Sequence, residues 1–289
     1  MAITPQATAR FVLVPTILLT VVGYYGSILW TIGLSFTPSR ILPVSRWAGL
    51  DMYERLLSTE RWQVAYTNLF VFGGLYIGFC LAAGLLLAIA LDQGVKGRSV
   101  YQTIFLYPIA LSFIVTGLAW RWLLNPTTGL QDYVRSLGFE SFSLDLLSSP
   151  ERAIFTLVIA GVWHSAGLVM VILFAGLQSV DQEIWRAGRV DGIPRHRMYR
   201  HVVLPMLWPM VVTCLVLLGM NVVRSYDLVV ALTGGGPGFS TDVPAKFIVD
   251  HYFERQSVGL ASAAATLLLL TVVVLFALVG LLRRRGEAA

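Results

Sequence analysis

The chain repeatedly runs for twenty residues or more with hardly a charge, as in "FVLVPTILLTVVGYYGSILWTIGLSF" from Phe11 to Phe36. That length matches the roughly 20 residues a helix needs to cross a bilayer, and it is too long for a barrel strand. Amides in hydrocarbon have no water to bond, so each span must satisfy its own backbone, which within one segment only a helix does. The fold class that follows is all-α: a polytopic integral membrane protein. Reading apolar runs against breakers places six transmembrane helices at about 11–36, 64–91, 100–124, 152–177, 204–232 and 258–282. The first exceeds a signal-peptide core and is followed directly by further membrane, so it reads as a retained helix. Residues 1–289 then form a single transmembrane domain.

The segments between these spans leave no stretch for a soluble domain of ordinary size, so any catalytic or ligand-capturing domain is expected on another chain. With 56% hydrophobic and only 13% charged residues, the net charge of +5 has to sit in short connections. No basic stretch is interleaved with exposed aromatics, which argues against nucleic acid. An excess of Lys and Arg instead marks cytoplasmic loops. With the N-terminus inside, the inner segments hold Arg10, Lys96, Arg98, Arg186, Arg189, Arg195, Arg197, Arg200 and Arg283 to Arg285, eleven basic residues on mostly short connections. The outer loops hold eight, diluted by ten acids. Both termini are therefore expected in the cytoplasm. Trp120, Arg121 and Trp122 have the composition of an interfacial belt.

Several kinds of chemistry lack their residues. There is no GxxxxGK[ST] phosphate cradle, no HExxH, no CxxC pair and no GxSxG elbow. Cys80 and Cys214 fall inside apolar runs, and His164, His196, His201 and His251 fall on both sides of the expected membrane, so no metal site and no catalytic residues are expected. A secondary transporter should show paired mid-membrane acids or inverted halves, whereas Asp227 is the one clear mid-span acid. A membrane scaffold or sensor subunit is the other rival.

One segment breaks the hydrophobic pattern. "EIWRAGRVDGIPRHRMYRHVVLP", Glu183 to Pro205, carries five arginines, two acids and two histidines. Good helix formers predominate from Asp181 to Val190. Gly192 and Pro194 then interrupt, and a second short helix can begin at Pro194. The pattern predicts a helix, a tight bend and another helix, with one small apolar face and one charged face. Such an object suits a partner's cleft.

The region "AGLQSVDQEIWRAGRVDGIPRHRMYRHVVLP" resembles the EAA loop of permease subunits in binding-protein-dependent ABC importers, whose pattern runs EAA, three residues, Gly, then a spaced Ile-x-Leu-Pro. Val190, Asp191 and Gly192 match its core, and Val202 to Pro205 its end, with Leu204 and Pro205 as the Leu-Pro pair. "LDMYERLLSTERWQVAYTNLF", "FLYPIALSFIVTGLAWRWLLNP" and "DLVVALTGGGPG" extend the likeness to the maltose-type carbohydrate branch over nearly the whole chain. The resemblance implies a type I importer permease in a prokaryotic inner membrane. It also implies partners: a second homologous permease, two ATPase subunits carrying ATP and Mg, and a soluble or lipid-anchored sugar-binding protein. No cofactor would be bound by this chain, and alternating access would move a sugar inward. A polyol, a glycerophosphate ester or an anionic or aminated sugar is the alternative cargo.

For residues 181–205 the resemblance implies docking on the ATPase through Glu183, Arg186, Ala187, Gly188, Asp191, Gly192, Leu204 and Pro205. The family's Glu is here Arg186 and its second Ala is Gly188, so "EAA" reads "RAG". Either Glu183 supplies the carboxylate from one turn earlier, or only the loop's shape matters. A side chain at 192 would penalise positive φ and crowd the cleft. Polar residues inside spans are costly, which makes Asn221, Arg224, Ser225 and Asp227 candidates for the solute path, with Asn221, Arg224 and Ser225 on one helical face. The alternative pairs Arg224 with Asp227 as an internal bridge. Trp163, His164 and Ser165 are second-rank candidates. By the same resemblance Gly234, Gly235, Gly236 and Pro237 belong to a loop facing the binding protein.

Overall fold

The structure, a computed structural model, describes residues 5–44 and 46–287, with side chains described over 13–44 and 46–281. The side chains of Arg10 and Arg283 to Arg285, part of the charge asymmetry above, lie outside that range. Every regular element among the described residues is helical. In chain order they are α1 (Pro5–Thr20), α2 (Gly26–Leu34), α3 (Asp51–Leu57), α4 (Glu60–Asp92), α5 (Arg98–Leu106), α6 (Phe113–Leu123), α7 (Leu130–Ser136), α8 (Pro150–Gln178), α9 (Gln182–Val190), α10 (Arg195–Met198), α11 (Leu204–Met206), α12 (Trp208–Val223), α13 (Tyr226–Leu232), α14 (Pro244–Val249) and α15 (Val258–Glu287). A π-turn at Val21–Tyr25 joins α1 to α2, and another at Tyr199–Val203 joins α10 to α11.

Among the described residues four helices are long and apolar enough to cross a membrane: Leu13–Leu34, Glu60–Asp92, Pro150–Gln178 and Val258–Leu281. Two bent pairs bring the number to six if each is one span. The run expected as a straight helix over 100–124 is bent by 100° between Arg98–Ala110 and Phe113–Leu123. Pro108 cannot donate to the preceding turn and its ring crowds the carbonyl four residues back, so the chain tightens into a 3₁₀ turn at Tyr107–Ala110. Ser112 then takes extended backbone and caps α6, its Oγ accepting from Val115 N at 3.3 Å.

The run expected over 204–232 is broken twice. Arg195–Met206 and Trp208–Val223 meet at 67°, where Pro209 forbids a continuous ladder. A turn at Arg224 and Ser225 then separates α12 from α13.

The chain divides into two compact units. The first comprises the residues through Trp62 together with Phe247–Thr271. Within it Trp62 meets Phe247 edge-on at 5.1 Å, and Gly259 N donates to Ser39 O at 2.8 Å. Helix Leu13–Leu34 has none of its residues buried, as suits a surface offered to lipid or a partner.

The second unit comprises Gln63–Lys246 and Val272–Ala289. Its core is α8, buried over most of its length. Small residues let neighbouring backbones close in: a Cβ at Gly167 would stand 1.8 Å from Phe105 O, and one at Gly117 would stand 2.6 Å from Ala231 Cβ. The second contact seats α13 against α6.

Candidate functional site

The segment that breaks the hydrophobic pattern folds as a helix, a bend and a helix. Asp181 caps α9, its Oδ1 accepting from Glu183 N at 2.8 Å. The bend turns on Gly192, whose φ of +67° lies in the left-handed region that glycine enters without strain. Ile193 N donates back to Gly188 O at 2.9 Å, and Pro194 caps α10 in extended conformation, one position before the helix it was expected to begin. A Cβ at 192 would meet nothing within 4 Å. Within this chain the need for glycine is therefore conformational. Gly188 is different, because a Cβ there would come to 2.9 Å of Met198 Sδ. It lets the buried Met198 pack under α9.

Glu183, Arg186, Ala187, Asp191 and Gly192 are exposed, and among the described residues no ion pair joins Glu183 to Arg186. At the tip Val190 is 87% exposed, the highest among the large apolar side chains of the described residues. Leu204 and Pro205 stand beyond the π-turn, on the short helix that leads into the 67° bend.

What holds this object in place was missing from the sequence reading. Asp92, the last residue of α4, accepts from Gln178 Nε2 at 2.8 Å and from Tyr199 Oη at 3.0 Å. One carboxylate thus ties the ends of α4 and α8 to the turn after α10. Trp185 packs edge-on against Tyr199 at 5.2 Å, and a cavity of about 410 Å³ lies between these residues and α9. An acid ending a long apolar helix was the available signal. It is the sort of polar residue a span does not carry without a partner.

The solute-path candidates divide. Asn221 and Ser165 are brought together by Tyr76, whose Oη donates to Ser165 Oγ at 2.7 Å and accepts from Asn221 Nδ2 at 3.3 Å. His164 is buried, with Nδ1 at 3.1 Å from Thr116 Oγ1 and its ring 4.3 Å from that of Phe113. Trp163 is 41% exposed and edge-on to Trp120. The single face expected for Asn221, Arg224 and Ser225 does not exist. α12 stops at Val223, so helical periodicity ends before Arg224, which is exposed while Ser225 is buried with an unpartnered Oγ. Arg224 and Asp227 are both exposed and no ion pair joins them, so the alternative internal bridge is absent too.

The glycine-rich stretch is a built loop. Gly234, Gly235 and Gly238 have φ of +67°, +93° and +63°, and a Cβ at Gly235 would strike Asp242 Oδ1 at 2.2 Å. Thr233 Oγ1 and Thr241 Oγ1 are 2.8 Å apart, and Thr241 Oγ1 donates to Gly236 O at 3.1 Å. Asn68 on α4 secures the far limb, donating to Ser240 O at 2.8 Å and Asp242 O at 2.9 Å. Asn68 went unsingled in the sequence, although it is an amide inside an apolar span.

The described residues form an all-helical bundle with membrane-length helices and a charged helix–bend–helix, the architecture expected of a membrane transport component. Residues 80–286 match the family of binding-protein-dependent transport system inner membrane components, and the chain belongs to that family. It is 33% identical over 264 residues to the xylose/arabinose import permease protein XacH of Haloferax volcanii, covering 89% of this chain and 81% of that protein. It is 30% identical over 247 residues to the trehalose/maltose transport system permease protein MalF of Thermococcus litoralis, covering 84% and 83%. The fold matches a chain in the crystal structure of a bacterial ABC transporter involved in the import of alginate, with a TM-score of 0.85 at 21% identity, covering 98% of this chain and 97% of that one. The chain is thus an ABC importer permease of the type I fold, a multi-pass and non-catalytic subunit.

Proposed function

We propose that this permease conducts a sugar into the cytoplasm, driven by ATPase subunits that dock on residues 181–205. The carrying observation is the α9–Gly192–α10 object. Its charged face and Val190 tip are exposed while its inner side is tied through Tyr199 and Asp92 to the end of a membrane-length helix. A rigid protrusion anchored to a long helix transmits displacement into the bundle, where a loose loop would absorb it. Two ATPases carrying ATP and Mg, a second homologous permease and a soluble or lipid-anchored binding protein complete the importer. Both termini lie in the cytoplasm, which puts residues 181–205 on the ATPase side of the inner membrane and the Gly234–Pro237 loop on the binding-protein side. ATP binding closes the ATPases, the segment moves, and the bundle turns its cavity outward to receive solute.

A carbohydrate cargo is supported by the sugar names of the relatives. Asn221 is half-buried and can turn its amide to sugar hydroxyls, while Tyr76 and Ser165, both buried, hold it from behind. A second reading rests on Arg224, exposed at the α12–α13 turn and without a carboxylate partner among the described residues; a guanidinium there suits an anionic derivative such as a glycerophosphate ester. Reconstitution of the complete importer tests the proposal. ATP-dependent uptake of a labelled neutral sugar is expected, with loss of ATPase co-purification when residues 191–194 are replaced. Uptake that ignores ATP, or an ATPase retained by that variant, would refute it. Uptake restricted to anionic sugars would favour the second reading.

A further inference from the structure

Within the first unit, the loop after α2, helix α3 and the turn into α15 line a basic cavity that the transport reading does not use. It has a volume of about 450 Å³ and is lined by Arg40, Arg55 and Arg255, with His251, Gln256 and Ser257 among the other lining residues. No carboxylate lines it. Among the described residues none of the three arginines has an ion-pair partner, whereas the neighbouring Arg61 is paired with Asp250. The arginines come from three separate elements: the loop after α2, helix α3, and the turn before α15. Their convergence is a property of the fold and not of one basic run.

All three arginines are exposed, and like charges brought together in this way repel one another. His251 registers that environment: burial, followed by the nearby Arg255 and Arg61, pushes its imidazole below the usual range. Gln256, on the cavity wall, is the one non-glycine residue with positive φ among the described residues, at +51°. Strain of this kind persists where surrounding structure demands it.

The cavity's place follows from the elements around it. α2 ends at Leu34, α15 begins at Val258, and the loop between α2 and α3 is tied to the start of α15 through Gly259 and Ser39. The cavity therefore lies near these helix ends, with Ile41 in its wall and Leu42 and Trp47 following in the same loop, exposed at 66%, 73% and 71%. Apolar and aromatic side chains at the ends of membrane-length helices seat in the acyl boundary. We propose that this cavity binds a phosphate-type anion, supplied by the headgroup of an anionic phospholipid whose chains lie against those exposed residues. Arginine forks match phosphate oxygens in geometry as well as charge.

The test uses the full chain purified in neutral detergent and read by thermal unfolding. Three additions are compared: phosphatidylglycerol, phosphatidylcholine and inorganic phosphate. Phosphatidylglycerol is expected to raise the melting temperature where phosphatidylcholine does not. Arg40→Gln/Arg55→Gln/Arg255→Gln is expected to weaken the apparent affinity by at least about tenfold, as loss of charge-assisted hydrogen bonds requires. The triple lysine variant keeps the charge and should retain part of the response, which separates site loss from misfolding. Arg135→Gln, in the second unit, should respond as the wild type. A shift of equal size with inorganic phosphate that the glutamine variant also loses would support the site with a free anion as its source. No shift with either anion, or a phosphatidylglycerol shift that survives the glutamine substitutions, would overturn the proposal.

Discussion

Tyr199 Oη donates to Asp92 Oδ2 at 3.0 Å, joining the turn after α10 to the last residue of a 33-residue helix. The opposite oxygen of the same carboxylate receives Gln178 at 2.8 Å, so three chain segments meet on one side chain. Tyr199→Phe removes one hydrogen bond and should cost about 1 kcal/mol of stability. Asp92→Leu removes both and should uncouple more strongly, with uptake falling further than ATP hydrolysis. The ratio of solute moved to ATP hydrolysed in proteoliposomes is the readout. A structural role alone would lower both together.

Asn68 supplies two donors to the limb of the glycine loop, to Ser240 O and Asp242 O. Asn68→Leu leaves both carbonyls without that partner, a change worth about 1–3 kcal/mol. The expected result is faster proteolytic nicking near residues 233–242 and weaker capture of the binding protein, with ATPase binding unchanged. Equal protease resistance would show that the loop holds itself.

Glu183 and Arg186 make no ion pair with each other, so both charges are available to a partner. Glu183→Gln should weaken ATPase binding by up to about fivefold, the limit for an exposed pair. No change on that substitution, measured by detergent-resistant co-purification, would leave shape as the determinant.

His251 is buried, and its Nδ1 lies 2.9 Å from Phe247 O. Burial holds its folded pKa below the usual 6.5 against the hydrogen bond to Phe247 O, which raises it; Arg255 and Arg61 act with burial and Asp250 against. As pH falls below about 6.5 the unfolded chain takes up a proton that the folded chain resists, so stability declines across that window. Above it the stability is fully present. Thermal unfolding at several pH values should show this slope, and His251→Gln should reduce it.

The helical class and the protruding segment were legible because their signals are local. Gly192 and Pro194 specify a bend and a restart through their own backbone preferences, whereas Asp181, read as part of the helix, caps it. The bends near Pro108 and Pro209 were less so, because an apolar run reads the same whether its helix is straight or broken. Likewise the stop after Val223 removed the shared face expected of Asn221, Arg224 and Ser225. Asp92 with Tyr199, and Asn68 with the glycine loop, are joined over 107 and over 170 residues of chain, a kind of partnership that periodicity does not carry.

The central claim is that residues 181–205 couple ATP hydrolysis to transport through the bend at Gly192. Valine there would force a β-branched residue to φ near +67°, at a cost of about 1–2 kcal/mol, in a place where a Cβ touches nothing else in the chain. Asparagine, which tolerates that region better, should retain part of the function. The decisive measurement is ATP-driven uptake by the complete importer carrying Gly192→Val, with membrane insertion verified. At least about a tenfold loss of uptake is expected, equivalent to about 1.4 kcal/mol or more of lost coupling. Wild-type uptake by that variant would contradict it.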